Sequence, residues 1–210
     1  MAIKLESFIL GPIENNTYLL TDTETSSAAL VDPSVPSREV LESIRKAGLQ
    51  LTFILITHAH FDHIGGAKYF KNQFGGEPQI HLHLADLQLW QAGGGARDFG
   101  FDFDAGDQPD VLFKDEQTFK LGNSVIKALF TPGHTPGHVT FYFPNSNAAF
   151  CGDLIFFHGI GRTDLASSNQ DDLFNSIKNK IFTLPDSTLL YPGHGPSTSV
   201  GEEKENNPFI

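Results

Sequence analysis

The stretch Thr57-His58-Ala59-His60-Phe61-Asp62-His63-Ile64-Gly65-Gly66 limits what this chain can become more than any other. It sets three histidines and one aspartate within six positions, directly after the apolar run Leu51-Thr52-Phe53-Ile54-Leu55-Ile56. Neutral imidazole nitrogens and a carboxylate suit zinc, iron or manganese. A buried strand that stops at a ligand-dense turn presents such side chains at the end of a sheet. His58 and His60 are two apart, so extended backbone points both to one side. Asp62 and His63 follow where the chain turns and could aim at a second point. The spacing predicts a helix that begins near Ile64, runs through Phe70 and ends near Phe74-Gly75-Gly76. Four ligand-type residues this close exceed what one tetrahedral ion with an open position can use. Two metals, or one metal with outer hydrogen-bonding partners, are the readings left open. The bland alternative is a polar loop with satisfied histidines.

Charge narrows the partners. The chain of 210 residues carries 25 acidic against 14 basic side chains, a net charge of −11. Phosphate backbones require clustered lysine and arginine, so neither nucleic acid nor an anionic membrane is expected as a partner. A divalent metal could still supply local positive charge for an anionic small molecule. Cys151 stands alone, so no intramolecular disulfide can form. The first residues lack a charged segment followed by an apolar one, and no apolar run approaches the length of a membrane span. A cytoplasmic protein, monomeric or homodimeric, is expected.

Strands are predicted over Ile3 to Leu10, Asn16 to Thr21, Ala28 to Val31, Leu51 to Ile56, Gln79 to His83 and Thr188 to Tyr191. Val111 to Thr131 reads as further strands with a hairpin turn at Leu121-Gly122-Asn123-Ser124. Val139 to Phe143 and Ala148 to Cys151 read as a second hairpin. Ser37 caps a helix that runs toward Gly48 and buries Val40, Leu41 and Ile44. Ala85 to Gln91 and Asp171 to Ile181 are the other predicted helices, the latter with Leu173, Phe174 and Ile177 on one face. Gly93 to Gln108 is irregular, and long irregular segments are usually functional or mobile. Strands fall into two groups, Ile3 to Ile56 and Val111 to Tyr191. That pattern predicts two β-sheets packed face to face with helices outside, in a single domain spanning residues 1–210.

Three further turns bear ligand-type residues where strands stop. Thr131-Pro132-Gly133-His134-Thr135-Pro136-Gly137-His138 follows Val125 to Phe130, Gly152-Asp153 follows Ala148 to Cys151, and Gly193-His194-Gly195 follows Thr188 to Tyr191. Loops at one edge of a sheet can converge on one site although far apart in sequence.

With these segments the sequence resembles the metallo-β-lactamase superfamily. Within it the chain looks like the glyoxalase II (hydroxyacylglutathione hydrolase) branch, in its short bacterial type. Thr131 to His138, Gly-Ile-Gly-Arg-Thr-Asp-Leu (159–165) and Tyr-Pro-Gly-His-Gly-Pro (191–196) carry that narrower likeness. The resemblance implies an α/β fold, the four-layer αβ/βα sandwich with two mixed β-sheets. It implies one metal on His58, His60 and His134, a second on Asp62, His63 and His194, and Asp153 bridging them. It also implies two divalent ions, zinc first, with iron or manganese as alternatives. Such ions lower the pKa of bound water from 15.7 to roughly 7. The metal-bound hydroxide would then attack a thioester such as S-lactoylglutathione, with Asp62 as the catalytic residue that orients the water. A thiolate leaves readily, so no strong general acid is required. Longer relatives of this branch carry a C-terminal helical domain that forms much of the glutathione site. This chain ends at Ile210, soon after His194, so no counterpart of that domain is expected.

Arg162 and His158 are the candidate substrate contacts, with Lys204 as a further basic residue; ordinary surface or loop roles stand beside each. Phe99, Phe101 and Phe103 form either a lid over the metals or a satellite cluster. His81 and His83 share a strand face and read as structural or exposed. His138 suits a hydrogen-bonding role near the metals, and Cys151 an inert core thiol. Three rivals to the hydrolase remain. A persulfide dioxygenase of the same fold would use one iron on His58, His134 and Asp153, but His138 stands where that branch usually has cysteine. A nuclease such as ribonuclease Z conflicts with the acidic balance. A non-catalytic binding module conflicts with a complete ligand set.

Overall fold

The computed structural model describes residues 3–114 and 116–210. The first sheet runs β1 (Ile3–Leu10), β2 (Asn15–Asp22), β3 (Ser27–Val31), β4 (Gln50–Leu55), β5 (Gln79–His83), β6 (Val111–Phe113) in spatial order. Its first three strands are antiparallel neighbours and its last four are parallel. The second sheet contains β7 (Gln117–Leu121), β8 (Ser124–Phe130), β9 (Val139–Phe143), β10 (Ala148–Gly152), β13 (Leu189–Pro192) and β14 (Thr198–Ser199). Its spatial order is β14-β13-β10-β9-β8-β7. A short ribbon of β11 (Ile155–Phe156) and β12 (Gly159–Ile160) follows β10.

The two-residue period of the strands builds four layers. Successive side chains leave opposite faces of a sheet. Leu19 and Leu30 therefore join Val40, Ile44, Phe70 and Trp90 under the helices on the outside of the first sheet. Their neighbours Tyr18, Leu20, Ala29 and Val31 meet Ile126, Phe141, Phe143 and Phe150 between the sheets. Tyr142, Ala149 and Cys151 face the other way, onto Leu173, Ile177 and Ile181. The result is the expected helix–sheet–sheet–helix sandwich.

Among the described residues there are six α-helices: α1 (Arg38–Lys46), α2 (Phe61–Ile64), α3 (Ala67–Gln73), α4 (Leu87–Gln91), α5 (Gln170–Ser176) and α6 (Val200–Asn206). Ser37 caps α1 by accepting from the Val40 N–H, and Glu39 with Arg45 and Lys46 complements the helix dipole. Turns of 3₁₀ form precede α4 and occupy Ala96–Phe99, and α5 continues as a π-helical turn over Ile177–Ile181. Among the described residues no helix is long and apolar enough to cross a membrane.

Three expectations need correction. The helix expected from Ile64 through Phe70 is two helices, α2 and α3. The Gly66 N–H is drawn to the Pro33 carbonyl at 2.6 Å, and a Cβ on Gly65 would stand 2.2 Å from the Ser34 oxygen. The glycines thus let the Pro33–Val35 loop wedge into the helix, and α2 carries Asp62 and His63. Second, Val111–Phe113 pairs in parallel with β5 in the first sheet, not with the later strands. A parallel neighbour needs a long crossover, and Leu84 to Asp110 supplies one. Third, α6 was not anticipated, although Ser199 and Glu202 have capping-box spacing and the Ser199 hydroxyl does accept from the Glu202 N–H.

Candidate metal centre

Four chain segments deliver side chains to one end of the sandwich. His58 and His60 follow β4, and Asp62 and His63 lie on α2. His134 sits in the β8–β9 loop, Asp153 just past β10, and His194 just past β13. The structure brings all seven together. Ligand atoms of His58, His60 and His134 lie within 4.8 Å of one another, and so do those of Asp62, His63 and His194. A third such group, His58, His63 and Asp153, spans the two. Asp153 Oδ1 faces His63 Nε2 at 3.4 Å, while its Oδ2 lies 3.6 Å from His134 Nε2 and 3.7 Å from His194 Nε2.

The outer nitrogens are held by the protein, which fixes the rings. His134 Nδ1 reaches the Arg162 carbonyl at 2.9 Å, His194 Nδ1 the Ile13 carbonyl at 3.1 Å, and His63 Nδ1 the Asp32 carboxylate at 2.9 Å. Carbonyls and carboxylates only accept, so each Nδ1 carries a proton and each Nε2 is the nitrogen left facing inward. His58 follows by one further step. The Thr57 hydroxyl donates to Asp32 at 2.6 Å, so it accepts from His58 Nδ1 at 3.1 Å. His60 is turned the other way, with Nδ1 facing His134 Nε2 at 2.9 Å.

The donor set fits divalent cations. His58 Nε2 and Asp153 Oδ1 are buried without a hydrogen-bond partner, although buried polar atoms are nearly always paired. Electrostatics agrees. Burial pulls the His60 imidazole down to about 3, helped by the neighbouring His134 and His63, and it holds His58 well below the ordinary histidine range. Burial opposes charge on Asp153, yet His63, His134 and His194 outweigh it and hold the carboxyl far below its usual range. Burial likewise opposes charge on His63, but Asp62, Asp153 and Asp32 overcome it and raise its pKa. Neutral rings and ionised carboxylates are the protonation states that ligation needs, and His63 is the ring from which an arriving cation must displace a proton.

Two aspartates that sequence reasoning missed organise these ligands. Asp32, at φ +48 in the left-handed region, accepts from the Thr57 N–H at 2.8 Å as well as from Thr57 Oγ1 and His63. Asp86 accepts from the Ala59 N–H, between His58 and His60, at 2.9 Å, and from the Thr135 hydroxyl and Gly137 N–H at 2.7 and 2.6 Å. It thereby ties the first motif to the His134 loop. Asp32-Pro33 reads only as a strand end, and Asp86 has no neighbouring motif, so no local signal marks either.

The other candidates add no further side chain to the ligand triads. Arg162 forms a surface ion pair with Asp164 at 2.8 Å, and only its backbone carbonyl reaches a cluster histidine. His158 points its Nε2 at Glu202, 2.7 Å away, and Lys204 pairs with Asp186. His138 stacks on His58 with ring centres 5.3 Å apart and bonds Thr131 through Nδ1. Burial draws His138 down to about 3, so it is neutral. His81 and His83 are buried between the sheets, His81 against Phe53 and Phe119, His83 stacked on Phe130. Cys151 is buried, and burial pushes its thiol well up. Phe99 and Phe101 are exposed and touch Phe61, whereas Phe103 packs on the core.

Comparison with known proteins shows the family. The chain is 36% identical over 207 residues to a probable metallo-hydrolase of Bacillus subtilis, covering 96% of this chain and 94% of that one. It is 33% identical over 209 residues to the hydroxyacylglutathione hydrolase GloC of Haemophilus influenzae, covering 99% and 98%. It is also 32% identical over 199 residues to the mitochondrial persulfide dioxygenase of Homo sapiens, covering 92% and 70%. Among solved structures, the BLEG-1 B3 metallo-β-lactamase superposes with a TM-score of 0.92 at 33% identity, covering 98% and 99%. TTHA1623 in a di-iron-bound form gives 0.87 at 35%, covering 98% and 100%. The family model described as the metallo-beta-lactamase superfamily matches residues 10–194, from the end of β1 through the last cluster histidine, and this chain belongs to that superfamily.

Proposed function

We propose that the protein is a metal-dependent hydrolase of thioesters, with S-lactoylglutathione as the model substrate. One divalent ion would be held by His58, His60 and His134 and a second by Asp62, His63 and His194, with Asp153 between them. Zinc is the first choice, and iron or manganese suits the same donors. Bound ions of this kind lower the pKa of water and polarise a carbonyl oxygen. The chain's own residues supply orientation and proton handling. Asp62 is the residue for the first task, orienting the water. Burial opposes its charge, but His63 and a hydrogen bond from His194 at 3.2 Å keep its pKa low, so it is ionised and can take a hydrogen bond from water.

The observation that carries this reading is the pair of complete ligand triads facing one shared carboxylate. Near full-length similarity to a hydroxyacylglutathione hydrolase supports the choice of ester. The persulfide dioxygenase is retained as a second reading because identity to that enzyme is nearly as high. A single iron on His58, His134 and Asp153 would leave His60, Asp62, His63 and His194 without a metal to hold. Elemental analysis of the purified protein decides, run beside S-lactoylglutathione hydrolysis and oxygen uptake with glutathione persulfide. About two metals per chain with thioester cleavage supports the hydrolase. One iron per chain with oxygen uptake would replace it.

A further inference from the structure

Beside Asp62 the surface opens into a cleft of about 300 Å³. Its walls are apolar: Ile13 from the β1–β2 turn, Val35 from the loop after β3, Phe61 from α2, and Phe101 and Phe103 from the irregular segment. The polar exceptions include two carboxylates, Asp62 and Asp102, and among the described residues no lysine or arginine lines it. Ile13 is 47% exposed and Phe101 52% exposed, so apolar surface there is left without a partner. The cleft has a fixed relation to the metal centre. The Ile13 carbonyl accepts from His194 Nδ1, and Phe61 directly precedes Asp62. Its volume is at the small end of ligand sites.

We propose that this cleft receives an apolar acyl group of the thioester, so that the preferred substrates are short- to medium-chain or aromatic acyl thioesters. The inference rests on the thioester reading above and narrows it. Biological acyl-carrying thiols are large, polar and anionic, and a small apolar cleft flanked by carboxylates repels them. The acyl end is what its size and chemistry accept, with the carbonyl left beside Asp62 and the ligand cluster.

The test uses the metal-loaded protein and neutral thioesters of N-acetylcysteamine carrying acetyl, butyryl, hexanoyl and benzoyl groups, with S-lactoylglutathione for comparison. Each methylene added within the cleft should raise kcat/KM about fourfold, the effect of burying one CH₂, with the gain appearing chiefly in KM. Phe101→Ala should flatten that dependence and Phe101→Leu should restore most of it. Turnover that is indifferent to chain length, or fastest with S-lactoylglutathione, would overturn the acyl assignment and leave the hydrolase standing. Absence of turnover with every thioester would overturn the hydrolase and the acyl assignment together.

Discussion

Oδ2 of Asp32 lies 2.9 Å from Nδ1 of His63, and both side chains are buried. The same carboxylate holds Thr57, which in turn holds His58. One aspartate therefore sets the tautomer of a histidine in each ligand triad. Asp32→Asn keeps the shape but turns an amide N–H toward groups that already donate. Metal affinity should fall roughly 10–100-fold, the usual loss when such a supporting partner is removed. Competition against a chelator measures it, and unchanged affinity would deny Asp32 this role.

Gly193 is in close contact with the ligands. A Cβ there would stand 2.2 Å from Asp153 Oδ1 and 2.6 Å from His63 Cε1. Gly193→Ala should therefore lose metal while keeping the fold, as read by elemental analysis and circular dichroism. Gly195 provides the contrast, because its Cβ would meet nothing but its φ is +75°. Gly195→Ala should retain metal and lose about 1–2 kcal/mol of stability from backbone strain.

His81 makes stability depend on pH. Burial draws its pKa down to about 4, with Asp110 acting the other way, and among the described residues neither ring nitrogen has a hydrogen-bond partner. An unfolded chain takes up this proton near pH 6.5, whereas the folded one resists until about pH 4. Stability is thus lost as pH falls through that window, by about 2 kcal/mol between pH 7 and pH 5. His81→Leu should remove that share of the acid sensitivity. Urea midpoints of both proteins at the two pH values would show it, and parallel shifts would count against it.

The ligand set was legible in sequence because its residues are chemically unusual and stand where strands stop. His58 through His63 announce themselves by density, and His134, Asp153 and His194 by glycine-flanked turns. What holds them was not legible. Asp32 and Asp86 are ordinary aspartates until the fold brings Thr57 to one and Ala59 with Thr135 to the other. The sandwich itself followed from strand periodicity. The placement of Val111–Phe113 did not, because three residues pair wherever a crossover delivers them. The division of α2 from α3 depends on the distant Pro33 carbonyl, which no local pattern encodes.

The donors come from both halves of the sandwich: His58 to His63 hang from the first sheet, and His134, Asp153 and His194 from the second. An ion seated among them rivets one half to the other. Chelation should accordingly lower the melting temperature of the entire molecule and not merely slacken a loop. With free metal a thousandfold above its dissociation constant, that rivet is worth about 4 kcal/mol per site. Metal supply would then govern how long the protein survives as well as whether it works.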